Sequence, residues 1–327
     1  MKYESDDTYP VLFKDGLVEN QIELIEKDKT LLDEDVHLPD FFICGAAKSG
    51  TTSLFNYLGQ HPRIFTPRVK EPGYFSALRP MKHPDQYAQL FKGARTNVCV
   101  GEASGAYLTS PDSAARLAAL LPESKIIVML RNPADRAFSL YRHMVHHGHE
   151  WAPSFRNALQ LEYRRWENDS FLRQNPEYYY NFMYRITGLY SQQLENLKAH
   201  FSESQIKIVI FENFVEDPEC HTRSVFRFLG LDDSLEIDTP VYNKEKRPFS
   251  TRMEALLNKA ILRSSQPFVE SLFETLNYIN RNVSIFTTRE TNVNKRIRKR
   301  LLEWYNRDIR KVSRIVEDER VSRWIDF

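Results

Sequence analysis

The sequence predicts an α/β protein in which helices flank a central parallel sheet in three layers. Short apolar runs alternate with segments in which apolar residues recur at helical spacing. Runs that are apolar at every position, rather than at every second one, are typical of strands covered on both faces. The chain has 327 residues, 42% of them hydrophobic, which provides apolar material for such a core and excludes a mainly disordered protein.

Four apolar runs are predicted to be strands of this sheet. They are residues 39–45, 97–101, 125–130 and 206–211. The first run ends at Gly45, and the third stops at Arg131. The carboxyl ends of parallel strands meet at one edge of a sheet, where ligands bind in folds of this class. We therefore expect the functional site at that edge.

Helices are predicted between and after these strands. The helical segments are residues 54–58, 113–121, 153–168, 185–200, 218–229 and 294–317. One more helix is expected after the third strand, because Asn132 is a favourable N-cap and Pro133 suits the first helical position. Gly230 is expected to end the helix at 218–229, since glycine adopts the left-handed backbone common at helix C-termini.

Residues 38–327 are predicted to form a single domain. At about 150 residues per domain the length would allow two, but one α/β domain of this size is equally ordinary. Residues 1–37 are polar and acidic, and we expect them to form an N-terminal arm that packs on the domain.

The composition and the apolar patterning limit the classes of partner and the cellular location that we expect. The chain has 45 Lys and Arg against 44 Asp and Glu, and a net charge of +1 gives no reason to expect nucleic acid as a partner. Its three cysteines are too few for a disulfide framework. The first residues lack the apolar core of a signal peptide, and the sequence has no apolar run of roughly 18 residues that would predict a membrane span. These features predict a cytoplasmic protein and leave its oligomeric state open.

A loop of small residues follows the first strand and is suited to bind a phosphate. Between Gly45 and Gly50 the backbone can wrap closely around an anion, and the next helix directs its N-terminus to the same place. The residues predicted to contact the phosphate are Lys48, Ser49, Gly50, Thr51, Thr52 and Ser53. In a nucleoside-triphosphate loop a lysine follows the second glycine, but here Thr51 does. Lys48 lies inside the loop, where it can reach a group attached to the phosphate; the alternative is a surface turn with an exposed lysine.

Arg131, directly after the strand at 125–130, predicts a second phosphate site. A triphosphatase would carry an aspartate for Mg²⁺ here, whereas a guanidinium binds phosphate directly. Ser139 follows on the next helix and can face the same anion. The alternative is that Arg131 or Arg136 forms a structural ion pair with Asp135. Two phosphate sites without a metal ligand predict a nucleotide that carries phosphates at two places.

In these features the chain resembles the sulfotransferases that use 3′-phosphoadenosine 5′-phosphosulfate (PAPS), and the carbohydrate-type and bacterial members more than the phenol and steroid enzymes. The matching segments, within roughly residues 38–310, are 48–53, 61–62, 70–75, 131–133 with Ser139, 188–197, 208–214 and 228–231. The resemblance implies a P-loop-like three-layer fold and a metal-independent transfer from PAPS that leaves 3′,5′-ADP. It also implies that the loop at 48–53 binds the 5′-phosphosulfate and that Arg131 and Ser139 bind the 3′-phosphate.

The resemblance also assigns roles in catalysis. Lys48 is expected over the bridging oxygen, where negative charge develops on the leaving group. Glu71 matches the glutamate that serves as base in carbohydrate-type relatives. Glu102 and Tyr107 match a segment beside the acceptor, and Glu102 is either a second acid–base candidate or a cap of the next element. Some relatives have a lysine where this chain has Ala103, which weakens the expectation of a polyanionic glycan bound in the same way.

Histidines and aromatic residues are the candidates for the acceptor pocket. His143 and His147 share a helix face, which suits a metal-ligand pair, a pocket wall with His143 as an alternative base, or a solvated helix end. No obvious aspartate or cysteine partner accompanies them in the sequence, so we expect no metal. Nine aromatic residues between positions 163 and 190, Tyr184 among them, predict either an acceptor wall or core packing. Related enzymes use a late basic loop over the 3′-phosphate, which makes Arg247 a further nucleotide-binding candidate.

We therefore expect a sulfotransferase with PAPS as donor and a hydroxyl, in second place an amine, of a saccharide or small molecule as acceptor. The alternatives are a nucleotide kinase or related phosphotransferase, a sulfotransferase of small secondary metabolites, and a non-catalytic PAPS-binding protein. A kinase would need a lysine at position 51 and an aspartate at the end of the strand, and the sequence has neither. The presence of both Lys48 and Glu71 argues against the non-catalytic protein.

Overall fold

A computed structural model describes residues 36–76, 78, 83–96, 98–175, 179–240 and 292–325. Five parallel strands form one sheet in the order β2-β3-β1-β4-β5. The strands are β1 (Phe41–Gly45), β2 (Ile64–Phe65), β3 (Cys99–Ala103), β4 (Lys125–Leu130) and β5 (Ile206–Ile210). The four predicted strands are confirmed, whereas β2 has two residues, too few for a hydrophobic pattern to reveal.

Helices precede, connect and follow these strands. They are α1 (Thr51–Leu58), α2 (Pro84–Gln89), α3 (Ala106–Thr109), α4 (Ser113–Leu120), α5 (Pro133–His146), α6 (Phe155–Trp166), α7 (Asp169–Gln174), α8 (Tyr190–His200), α9 (Phe211–Glu216), α10 (Pro218–Leu229), α11 (Lys295–Val316) and α12 (Glu319–Ser322). Each predicted helix is present with ends shifted by a few residues, and the one predicted at 185–200 begins as a separate 3₁₀ turn at Ile186–Gly188. The additional helices are the short ones, α2, α3, α7, α9 and α12. The described part of the chain contains no helix with the length and hydropathy that a membrane span requires.

Both faces of the sheet are covered, which confirms the three-layer architecture. Phe42 and Cys44 of β1 point into one apolar cluster, where α5, α8 and α11 pack. Phe41 and Ile43 point into a second cluster on the opposite face, beneath α1 and α10. This alternation explains why every position of the strand is apolar. The predicted arm at 1–37 lies outside the described residues except for its last two positions.

Two helix ends follow the predicted chemistry. The side-chain oxygen of Asn132 accepts hydrogen bonds from the backbone N–H groups of Ala134 and Asp135, at 3.0 and 3.3 Å, and so caps α5. Gly230 ends α10 in the left-handed conformation, with φ of 79°. The cap on α5 fixes where this helix leaves the sheet edge.

The order of the strands leaves a crevice between β1 and β4. The connection after β1 leads to β2 and β3 on one side of it, whereas the connection after β4 leads to β5 on the other. Neighbouring strands whose connections diverge in this way form the ligand crevice of open α/β sheets. The loop with Lys48 and the segment with Arg131 lie at its two walls.

Candidate active site

The loop between β1 and α1 has a backbone that needs glycine. Gly45 and Gly50 have φ of 137° and 88°, in the region that other residues rarely adopt. A side-chain carbon at Gly50 would also come within 3.0 Å of the Phe211 ring. The N–H of Ala46 donates to the carbonyl of Met129 at 2.7 Å, which fixes the loop to β4. The loop is therefore held in a shape that leads directly into the N-terminus of α1.

Arg131 joins the two predicted phosphate sites. Its Nη1 donates to the backbone carbonyl of Lys48 at 3.0 Å, and its guanidinium carbon lies 4.5 Å from the centre of the Phe211 ring. Its own carbonyl accepts from the Tyr190 hydroxyl at 2.9 Å. Burial lowers the pKa of Arg131, while Asp135 and Glu212 oppose that shift. The two motifs, more than 80 residues apart in the chain, thus meet in one place.

The contacts of the neighbouring residues argue against the alternative in which Arg131 or Arg136 forms a structural ion pair with Asp135. Asp135 forms a two-pronged ion pair with Arg298 of α11, at 2.9 and 3.0 Å, rather than with Arg131 or Arg136. Arg136 is buried and donates to the carbonyl of Tyr184 at 2.7 Å, so it is a structural residue. Ser139 is half-buried on α5, two turns beyond Arg131.

Glu71 lies beside the phosphate loop. The backbone N–H of Gly105 donates to Glu71 Oε2 at 2.6 Å, and Lys70 pairs with the other oxygen. A side-chain carbon built on Gly105 would be 3.7 Å from both Glu71 Oε2 and the Cα of Ala47, the neighbour of Lys48. Glu71 itself is exposed. A carboxylate with an oriented oxygen and solvent access stands next to the loop and can receive a proton there.

Backbone strain singles out two of these residues. Within the described ranges, three residues other than glycine have positive φ, and two of them are Lys48 at 68° and Glu71 at 64°. Such a conformation costs about 1–3 kcal/mol and persists where the surrounding structure imposes it, commonly at functional sites. The predicted catalytic pair is thus held in place by its backbone as well as by its contacts.

A row of imidazole rings extends from Lys48. Nδ1 of His143 lies 3.4 Å from Nζ of Lys48, the rings of His143 and His147 are 4.1 Å apart, and those of His147 and His149 are parallel at 6.5 Å. Burial, followed by the charge of Lys48, lowers the pKa of His143 to about 2. Burial also lowers the pKa of His149 to about 4. In the part of the chain that the structure describes, no cluster of three or more His, Cys, Asp or Glu side chains could hold a metal ion.

Three predicted side chains lie in the interior. Glu102 has no exposed surface, and burial raises its pKa to about 7 although it accepts from the hydroxyls of Tyr107 and Tyr87, at 2.7 and 3.1 Å. Tyr107 is buried in the same network. Tyr184 is also buried, and its hydroxyl donates to Glu150 at 2.7 Å. The expectation that Glu102, Tyr107 and Tyr184 face the acceptor needs correction, because each is enclosed and committed to a buried partner.

The other loop residues differ in their access. Thr52 and Ser53 are half-buried on the first turn of α1, and Thr51 is buried. The Ser49 hydroxyl is fully buried and has no hydrogen-bond partner among the described residues. Arg247 lies outside the described residues.

Two contributors were not predicted from the sequence. The ring of Phe211 packs against the guanidinium of Arg131, and the backbone N–H of Gly105 orients Glu71 by a hydrogen bond. Phe211 directly follows β5, so the rule that ligands gather at the carboxyl ends of strands could have identified it. Gly105 could not have been found, because its role is a backbone donor.

Comparisons with known proteins identify the family of this chain. The family model for the sulfotransferase domain matches residues 38–271. Human bifunctional heparan sulfate N-deacetylase/N-sulfotransferase 2 is 31% identical over 205 residues, which are 59% of this chain and 22% of that protein. The membrane-associated sulfotransferase kil1 of Dictyostelium discoideum is 37% identical over 110 residues, 32% of this chain and 22% of that protein. The chain thus spans about a fifth of the length of these curated relatives.

A solved structure extends the similarity over the whole fold. The crystal structure of a sulfotransferase from Alicyclobacillus acidocaldarius has a TM-score of 0.66 and 30% sequence identity, and the match covers 88% of this chain and 99% of that one. The family match covers most of the chain, including the loop with Lys48, Glu71 and Arg131. The chain therefore belongs to the sulfotransferase family.

Proposed function

We propose that the protein transfers a sulfuryl group from PAPS to a hydroxyl of a saccharide acceptor, and that 3′,5′-ADP is the second product. The contact between Arg131 and the carbonyl of Lys48 carries this proposal. It joins two anion-binding elements in one crevice, as a nucleotide with phosphates at both its 3′ and 5′ positions requires.

Each of the site residues has a separate role in the proposed transfer. In the transfer, an acceptor oxygen forms a bond to sulfur while the bond from sulfur to the 5′-phosphate oxygen breaks. Glu71 takes the proton that the acceptor loses. Lys48 and the N–H groups at the start of α1 stabilise the charge that develops on the leaving phosphate. Arg131 and Ser139 bind the 3′-phosphate and so orient the donor.

A saccharide acceptor is supported by the relatives named for heparan sulfate, which match at 31% identity or slightly less. The same names support a second candidate, transfer to an amine, because they specify N-sulfotransferases. The two candidates share the donor, the base and the direction of attack. They differ only in the group that Glu71 deprotonates.

The exchange of Glu71 for glutamine tests the assignment of the base. Glu71→Gln removes the proton acceptor but keeps the hydrogen bond from Gly105, so turnover should fall about 10²–10⁴-fold while the affinity for 3′,5′-ADP stays unchanged. Turnover is measured with ³⁵S-labelled PAPS, and affinity by isothermal titration calorimetry. Equal losses of turnover and affinity would show that Glu71 is structural.

The matched control is Glu123→Gln, an exposed glutamate just before β4 and hence at the opposite edge of the sheet. It should leave both quantities at the wild-type level. Calorimetry with ATP and Mg²⁺ covers the kinase alternative, and tighter binding of ATP than of 3′,5′-ADP would overturn the donor assignment.

Two matched acceptors separate the hydroxyl from the amine. N-acetylated chitotetraose offers hydroxyl groups and acetamides but no free amine, whereas the chitosan tetramer has the same backbone with free amines. Labelled product with both acceptors supports hydroxyl transfer, and product with the chitosan tetramer alone supports transfer to the amine. If neither tetramer and no other saccharide tested gives labelled product, the proposal of a saccharide acceptor is contradicted.

A further inference from the structure

Exposed apolar side chains are concentrated near the site. Among the described residues, three large apolar side chains are exposed: Val69 at 48%, Trp151 at 56% and Val215 at 56%. Single exposed apolar residues are ordinary on protein surfaces, so their positions carry the information. Val69 stands two residues before Glu71, and Trp151 stands two residues after His149 in the imidazole row. Two of the three therefore lie close in sequence to residues of the candidate site.

The turn that carries Trp151 is rigid on both sides. The carboxylate of Glu150 is buried and accepts from Arg165 at 2.6 and 2.9 Å and from the Tyr184 hydroxyl at 2.7 Å. The N–H of Ala152 donates to the same carboxylate at 2.8 Å, and Ala152 is itself buried. The neighbours of Trp151 are thus fixed while more than half of its own surface meets solvent.

The same turn is connected to Lys48. The backbone N–H groups of His149 and Glu150 both donate to the carbonyl of Met144 on α5, at 2.9 and 3.1 Å. From there the rings of His149, His147 and His143 lead back to the ammonium group of Lys48. Together this row and the exposed indole of Trp151, two residues beyond His149, make up the candidate acceptor surface.

The chemistry of this surface suits a neutral hydroxylated ring. Burial holds His143 and His149 in the uncharged form at neutral pH, because it lowers the pKa of both imidazoles. Neutral imidazoles donate and accept hydrogen bonds with hydroxyl groups, and they carry no net charge that would favour carboxylates or sulfates. The indole at the end offers a flat apolar face, which packs on the apolar face of a sugar ring.

We propose that Trp151 is a platform on which a pyranose ring of the acceptor stacks, beyond the unit that receives the sulfuryl group. This inference rests on the proposed function and adds that the neighbouring sugar unit is recognised by its uncharged face. The imidazole row bridges the distance between that unit and Lys48. Trp151 is then a residue that determines acceptor specificity and has no part in donor binding.

Steady-state kinetics test the platform. The acceptor is whichever of the two tetramers the wild type sulfates more efficiently. Trp151→Ala should raise the KM for this tetramer about tenfold, because it removes the stacking face, and should leave the affinity for 3′,5′-ADP and the turnover at saturating acceptor unchanged. Trp151→Phe should recover most of the loss, since phenylalanine retains an aromatic face. Val215→Ala is the matched control, with equal exposure on α9, and its KM should equal that of the wild type.

Fluorescence provides a second measurement. The chain has four tryptophans: Trp151 is exposed, Trp166 and Trp324 are buried, and Trp304 is half-buried on α11 against Tyr305. Addition of the tetramer should therefore change the emission of the wild type and of Val215→Ala but not that of Trp151→Ala. If the KM of Trp151→Ala equals that of the control, or if its emission still responds, the platform is wrong although the proposed function stands. If the wild type sulfates no saccharide, the proposed function fails and the platform fails with it.

Discussion

The donor side and the acceptor side of the site are built differently. On the proposed donor side, the loop after β1 is joined to β4 and to the residue that follows it: the N–H of Ala46 donates to the carbonyl of Met129, and the side chain of Arg131 donates to the carbonyl of Lys48. On the acceptor side, Glu71 and Trp151 are exposed side chains on segments outside the sheet. In the proposed function, the sheet itself thus fixes the nucleotide pocket, whereas acceptor recognition is added by chain segments that can vary without disturbing the fold.

The acceptor side gains its rigidity from a buried network. The N–H of Glu71 donates to the carbonyl of Ala103 at 3.0 Å, and the N–H of Gly73 donates to the hydroxyl of Ser104 at 3.0 Å. Below them, Tyr87 stacks on Tyr74 and donates to Glu102. Glu102 is thus placed to support the segment that carries Glu71, and we predict that it takes no part in the reaction itself. The difference between the two sides becomes measurable when one residue of each is changed.

The largest effect is expected on the donor side. Lys48→Met removes the ammonium group that stabilises the leaving phosphate oxygen, so kcat should fall about 10²–10³-fold. The KM for the acceptor should change little, because Lys48 acts on the donor. Steady-state kinetics with labelled PAPS measure both constants.

Lys92→Met, an exposed lysine just after α2, serves as the control and should keep wild-type activity. A Lys48→Met enzyme with unchanged kcat and a raised acceptor KM would reverse the division into two sides. It would place Lys48 on the acceptor side together with the imidazole row.

A smaller effect is expected from the buried support of the acceptor side. Burial raises the pKa of Glu102 from an ordinary value of 4.5 to about 7. As pH rises from about 4.5 to about 7, the unfolded chain loses this proton before the folded protein does, so the wild type loses stability over that range. A shift of this size corresponds to about 3 kcal/mol. Glu102→Gln cannot titrate and should lack this loss.

Denaturant unfolding at about pH 5 and pH 8 measures the difference between the two proteins. Subtraction of the variant from the wild type removes the contribution of Asp308, whose pKa burial raises to about 6. Turnover of Glu102→Gln should be retained, in contrast to Glu71→Gln. A variant with the pH dependence of the wild type would show that Glu102 is charged in the folded protein. A large loss of turnover would restore its role as an acid or base.

The sequence predicted the two sides to different extents. Spacing and residue type sufficed for β1, β4, the glycine loop and Arg131, because strand ends and positive-φ glycines are local features. Tyr184 was selected on composition alone, yet its ring fills the core and its hydroxyl binds Glu150. The sequence did not predict a role for Trp151, whose turn is held by contacts of Glu150 with residues 15 and 34 positions away. Packing at long range decides which aromatic residue reaches the surface, and a local pattern contains no information about it.

The smallest of these effects is expected from Arg131, and it separates the two ends of the nucleotide. A lysine retains the charge but not the planar fork, so Arg131→Lys should weaken the binding of 3′,5′-ADP about 10- to 100-fold. The affinity for 5′-AMP, which lacks the 3′-phosphate, should be unchanged, and calorimetry measures both ligands on the same protein. Arg164→Lys, an exposed arginine on α6, is the control for the substitution itself. Equal losses for both nucleotides would mean that Arg131 acts through its bond to the Lys48 carbonyl, as a support of the loop, and the 3′-phosphate would then need another partner.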